Sequence, residues 1–157
     1  MRNKWAMKGF IGCLVLLAGL IPVFAGDVFG GKVTEVRSAE VVVVNSGEEQ
    51  FVVRIVGIAA PLEGPVATEA KQFVTKLVLG KEVRARFLGR NKNAEMVSRL
   101  FVGDPGTEVG LELVRNGLAR RLEGAEAQFG YKYGELSKAE NEARRAGRGL
   151  WAASQPN

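Results

Sequence analysis

Histidine is absent from the 157 residues, and cysteine occurs once, at Cys13. Ser-His-Asp and Cys-His catalysis, imidazole zinc sites and disulfide frameworks are thereby excluded. The chemistry that remains belongs to carboxylates, Lys, Arg, Tyr and Ser. Among these the basic residues show the most regular spacing. Arg84, Arg86 and Arg90 stand on or near one face of an alternating segment, Lys92 and Arg99 follow, and Arg120 and Arg121 lie further on. Grouped on one surface, such side chains suit phosphate oxygens and give salt-dependent affinity without sequence choice. The plainer use of each is a solvated strand face. Phe129, Tyr131 and Tyr133 gather in a glycine-punctuated stretch. They suit either base stacking or the packing of a following helix.

The elements that must position these residues are legible from hydrophobic period. Lys32 to Arg37 and Glu40 to Asn45 read as two strands, the second holding the buried-type run Val41-Val42-Val43-Val44, and Gln50 to Ile58 reads as a third. The period then changes: Ala70, Phe73, Val74 and Leu77 predict a helix that Pro65 opens and Gly80 closes. Alternation returns at Val83, Ala85 and Phe87, and a fifth strand is expected from about Glu95 to Val102. Val109, Leu113 and Val114 mark a short helix ending at Gly117; Leu136, Ala139 and Ala143 mark a longer one ending near Gly147. This order predicts an α+β fold, mainly β: a five-stranded Greek-key barrel of OB type with three packed helices.

Before the first strand, Arg2, Lys4 and Lys8 precede an apolar run from Gly9 to Leu20, and Val23-Phe24-Ala25 offers small residues for cleavage. The expectation is a signal peptide over residues 1–25, cleaved near Ala25, with a periplasmic or secreted product. A lipoprotein signal at Cys13 and an uncleaved anchor are the alternatives. The expected organisation continues with one domain over 26–151 and a flexible tail over 152–157. Because the first segment holds three of the 22 basic residues and none of the 17 acidic ones, the rest is close to neutral. A polyanion site must therefore come from local clustering of charge, not from the whole-chain balance.

Three stretches, Val53-Arg54-Ile55-Val56-Gly57-Ile58-Ala59-Ala60-Pro61, Glu112-Leu113-Val114-Arg115-Asn116-Gly117-Leu118-Ala119 and Ala143-Arg144-Arg145-Ala146-Gly147-Arg148-Gly149-Leu150-Trp151, resemble the staphylococcal nuclease (thermonuclease) family in order and spacing. The resemblance implies an OB barrel with Trp151 as a core plug. It also implies phosphodiester cleavage, with two aspartates holding Ca²⁺, a glutamate on the attacking water and two arginines on the phosphate. The chain departs from that pattern where the chemistry would be. The metal aspartates fall on Ala39 and Ala59, the glutamate on Leu62, the second arginine on Glu95, and the nucleotide-flanking tyrosines near Glu123 and Ala125. Only Arg54 keeps its counterpart, either as a relic phosphate contact or as a structural arginine tied to a carbonyl or glutamate.

The resulting expectation is a catalytically degenerate, exported module with no catalytic residue, metal or cofactor. It would bind single-stranded nucleic acid, another polyanion or an envelope protein without cutting it. The expected ligand surface comprises Arg54, Arg84, Arg86, Arg90, Lys92, Arg120 and Arg121. The alternative is a Ca²⁺-dependent nuclease with a rearranged site built on Glu40 and Glu63.

Overall fold

The computed structural model describes residues 28–132 and 134–154. The N-terminal segment assigned to export, Tyr133, and residues 155–157 of the expected tail lie outside the described residues. Five long strands form the body: β1 (Val28–Val36), β2 (Val41–Ser46), β3 (Glu49–Ile55), β5 (Glu82–Arg90) and β6 (Met96–Val102), with the two-residue strand β4 (Ile58–Ala59) between β3 and β5. They pair in the order β3-β2-β1-β5-β6, and β6 returns alongside β3 in parallel, through Val53 with Met96, Arg54 with Val97 and Ile55 with Ser98. That last pairing closes the sheet into the five-stranded OB barrel.

Closure depends on β1. Its first half pairs with β5 and its second half with β2, and the register slips between Val33 and Glu35. A bulge there lets one strand bend between both halves of the barrel, removing exposed edges. Alternation then fills the interior: Val33, Val42, Val44, Val53, Ile55, Val83, Ala85 and Leu100 are buried and belong to one apolar cluster. Ser98 shares that interior, and its hydroxyl has no hydrogen-bond partner among the described residues.

The expected third strand ends early. Gly57 turns the chain at φ +82°, where a Cβ would press on the Tyr131 ring, so Ile58–Ala59 leaves the barrel. It pairs instead with β8 (Arg120–Arg121) as a separate small sheet. Helix α1 (Pro65–Val78) begins on Pro65 and buries Ala70, Val74 and Val78. A two-residue strand, β7 (Thr107–Glu108), leads into α2 (Val109–Arg115), which buries Val109, Leu113 and Val114. Helix α3 (Ala125–Phe129) is a single short turn that sequence period did not reveal, and α4 (Glu135–Arg145) buries Leu136, Ala139 and Ala143. A 3₁₀ turn, Gly149–Ser154, follows. It carries buried Trp151 and includes the first three residues assigned to the tail.

Candidate functional site

The loop after β1, the end of β3, the loop after β4 and the loop before β6 meet at one mouth of the barrel. There Arg37, Ser38, Ala39, Glu40, Arg54 and the Ala60–Gly64 loop, with Lys71 from α1, line a cavity of about 320 Å³. Arg54 is fixed inside it by two carboxylates. Its Nε and Nη2 donate to the two oxygens of Glu95 at 2.6 and 3.2 Å, and its Nη1 donates to Glu40 Oε2 at 3.1 Å. The second Glu40 oxygen accepts from the Ala60 amide at 2.6 Å. Asn91 completes the shell: its Nδ2 donates to Glu95 at 2.6 Å, and its Oδ1 accepts from the amides of Asn93 and Glu95. The bidentate fork and its neighbours thus satisfy the guanidinium from inside the protein.

The electrostatics follow from this geometry. The hydrogen bond from Arg54 holds the Glu95 carboxyl below its ordinary value of 4.5, and Asn91 adds to the effect. Reciprocally, the bond to Glu95 raises Arg54 above its ordinary value, with Glu40 contributing. Carboxylates do converge beside Arg54, but on the guanidinium itself. Where the family resemblance places a second phosphate-clamping arginine, Glu95 instead occupies the first one.

The three residues that the resemblance aligns with the metal ligands and the water-activating acid have apolar side chains in different surroundings. The Ala39 methyl is buried in the core cluster. Ala59 is half-buried in the β4 pair opposite Arg120. Leu62 points into solvent, 94% exposed. Glu40 and Glu63 both line the cavity, yet Glu40 has its two oxygens engaged, leaving one exposed carboxylate. Calcium takes six to eight oxygen ligands, and among the described residues no group of three His, Cys, Asp or Glu side chains stands together for a metal. The donor set does not fit the calcium that the resemblance implies.

The other expected ligand residues separate into distinct places. Arg84, Arg86 and Arg90 project outward from β5, with Lys92 just beyond. Arg99 does not join them, because it is buried. It makes a fork to Glu108 at 3.0 and 2.6 Å, donates to the Gly130 carbonyl at 2.9 Å, and lies 4.1 Å over the Tyr131 ring. Arg120 and Arg121 are held on the separate β4–β8 sheet. Arg120 lies 5.1 Å from the Trp151 ring centre, and Arg121 pairs at 3.5 Å with buried Glu140, which also takes Arg144. Tyr131 is buried with its hydroxyl donating to the Val56 carbonyl at 3.1 Å, and burial pushes that hydroxyl above its ordinary range. Phe129 packs on the same core. These two aromatics therefore dock the α3 region onto the barrel.

Sequence reasoning missed Asn91, Glu108 and Glu140 as partners of arginines. Only Asn91 carried a local signal, the Asn-Lys-Asn turn chemistry that puts its side chain over the following amides.

A five-stranded OB barrel with α1 between its third and fourth long strands, and with its cavity at the loops flanking Arg54, defines a nuclease-type barrel. Residues 52–153 match the family described as "Staphylococcal nuclease homologue", and the chain belongs to that family. It is similar to "Probable endonuclease LCL3" of Podospora anserina, 32% identical over 117 residues that cover 64% of this chain and 41% of that protein. It is similar to the protein of the same name in Komagataella phaffii, at 30% identity over 63% of this chain and 48% of that one. An "Uncharacterized endonuclease" of Escherichia coli O157:H7 matches at 28% identity over 91% of this chain and 90% of its own length. The chain thus spans less than half the length of the two fungal relatives.

Proposed function

We propose that this chain is a non-cleaving member of the staphylococcal nuclease homologue family that binds an anionic oligomer. One observation carries the non-cleaving reading: Arg54, the residue that the family resemblance assigns to phosphate, is bound to Glu95 and Glu40 at 2.6 and 3.1 Å; the exposed Arg84, Arg86 and Arg90 on β5 support the binding of an anion elsewhere. A phosphodiester entering the cavity must displace two carboxylates and then lie beside them. The side chains of Ala39, Ala59 and Leu62 offer no carboxylate for a divalent ion and no base for water, and loss of even one such group costs orders of magnitude in rate. We further propose export, on the basic start Arg2, Lys4 and Lys8 and the apolar run behind it.

The names of the relatives, which say endonuclease, favour a second reading, a nuclease; Glu40 and Glu63, which both line the cavity, are the residues on which a calcium-dependent one would rest. The full chain, freed of host nuclease, is incubated with single- and double-stranded DNA and with RNA, in Ca²⁺ and in chelator. Intact substrate under both conditions is the expected outcome. Degradation that needs Ca²⁺ and disappears in Glu63→Gln would establish the nuclease instead.

A further inference from the structure

Glu95 reaches Arg54 from a turn that has little hold on the barrel. The turn is Asn91–Glu95, between the end of β5 and the start of β6, and none of its residues belongs to the apolar core. Its backbone bonds are short-range. The Asn91 amide donates to the Glu95 carbonyl at 3.1 Å, the Ala94 amide to the Asn91 carbonyl at 3.0 Å, and Arg90 Nη1 to the Ala94 carbonyl at 3.0 Å. Ala94 stands at φ +60°, the one non-glycine residue at positive φ among the described residues. An L side chain adopts that conformation at a cost, and such strain persists where neighbouring contacts impose it. At the base of the turn the β5–β6 register slips between Phe87 and Gly89, a bulge of the kind that bends a strand.

Arg54 is what fastens this turn to another part of the barrel. Apart from bonds within the β5–β6 hairpin, the described hydrogen bonds of Asn91–Glu95 are the two from Arg54 to the Glu95 carboxylate, which the Asn91 side chain aims. A segment with few buried apolar contacts and exposed backbone bonds opens locally at low cost. When the turn swings away, Arg54 Nε and Nη2 lose their acceptors while Nη1 keeps Glu40. Arg54 lines the cavity and is partly exposed to it. Lys71 lines the same cavity and has no ion pair among the described residues. The vacated fork has the bidentate geometry through which arginine takes carboxylate or phosphate groups.

We propose that the Asn91–Glu95 turn is an autoinhibitory strap: its carboxylate is a tethered ligand for Arg54, and opening of the turn uncovers an oxyanion site made by Arg54 Nε and Nη2 with Lys71 beside it. This rests on the reading that the chain holds anions without cutting them, and it sets how that holding is regulated at the cavity. The competitor is part of the same chain, so an outside anion meets it at high effective concentration. Multiply charged oxyanions, able to take both N–H groups and the Lys71 ammonium, displace it best. Asn91 and Arg90 act on the site through Glu95 and Ala94 and are positioning residues.

The test is calorimetric titration of the full chain with inorganic tripolyphosphate, in chelator and at fixed salt. A turn closed nine-tenths of the time or more weakens binding by about tenfold or more, so Glu95→Gln should bind at least about tenfold more tightly than the parent. Asn91→Ala, which keeps both Arg54 and Glu95, should move in the same direction by less, and it supplies the reading if Glu95→Gln fails to fold. Adding Arg54→Gln to Glu95→Gln should abolish the gain. Glu82→Gln, which removes the same charge at the other end of β5, should give none. Equal affinity in the parent and both turn variants, a gain that survives Arg54→Gln, or the same gain in Glu82→Gln would each overturn the strap. Cleavage of an oligonucleotide in Ca²⁺ would instead overturn the non-cleaving reading, and the tripolyphosphate titration would still report on the turn.

Discussion

On the proposed non-cleaving reading, Glu95 is the residue that most alters the surroundings of Arg54. A glutamate at that position brings a carboxylate to within 2.6 Å of Arg54, where an anionic substrate would otherwise be clamped. Its effect on stability has a defined sign. The carboxyl is held below its ordinary 4.5 by the guanidinium, so the folded chain takes up this proton less readily than the unfolded chain. The stabilisation is present in full above about pH 4.5 and is lost as pH falls through the lower folded value. Glu95→Gln should therefore lower the melting temperature near pH 7, and the gap to the parent should narrow as pH is brought down towards about 3. A gap that stays constant across that range would show that the ionised carboxylate is not what Arg54 needs. Arg54 keeps Glu40 in the variant, so folding should survive.

At the level of elements, the C-terminal turn locks α2 to α4. The Leu150 amide donates to the Gly117 carbonyl at 2.9 Å, and Arg148 Nη1 donates to the Arg115 carbonyl at 3.0 Å. Trp151 then lies between two guanidinium groups, Arg144 at 4.1 Å and Arg120 at 5.1 Å. Gly117 makes the close approach possible: it sits at φ +70°, and a Cβ there would run into the Arg148 backbone carbonyl. Gly117→Ala carries both a left-handed backbone cost and a backbone clash, and should destabilise by about 2 kcal/mol or more in chemical denaturation. An unchanged midpoint would mean that the turn docks more loosely than this contact implies. The helices themselves were readable from apolar spacing: α2 and α4 bury the residues their period picks out, and α1 buries Ala70 and Val74 while Phe73 and Leu77 pack partly buried against the core. The β4–β8 pair was not readable, since two residues are too few to show a period and Ile58 has its partner 63 positions away at Arg121.

For the molecule as a whole, the consequence is a barrel whose stability should be indifferent to calcium. A ligand that binds the folded state at a hundred times its dissociation constant adds about 2.7 kcal/mol. Millimolar Ca²⁺ should leave the melting temperature of the full chain unchanged, with or without a short oligonucleotide; an upward shift abolished by Glu63→Gln would reveal a working site on the Ala60–Gly64 loop. Charge is distributed at this scale too. Among the described residues Arg37, Arg54, Arg99, Arg115, Arg121 and Arg144 each meet a glutamate, whereas Arg84, Arg86 and Arg90 on β5 meet none.

The sequence by itself determined the five strands, the three longer helices, the family, and the apolar side chains of Ala39, Ala59 and Leu62 where the resemblance leads one to expect acids. Those features are local: period two or 3.6 places side chains on a face whatever lies beyond, and a methyl cannot ligate a cation in any fold. Only the tertiary structure decided what each arginine does. Arg54 and Glu95 are 41 residues apart and meet because β6 returns in parallel beside β3. Arg99 occupies the same outward register as Arg86 on the adjacent strand, yet it is buried because Glu108 and Tyr131 cover it. Alternation fixes the direction of a side chain, and the elements packed above it fix whether that direction leads to water or to a partner.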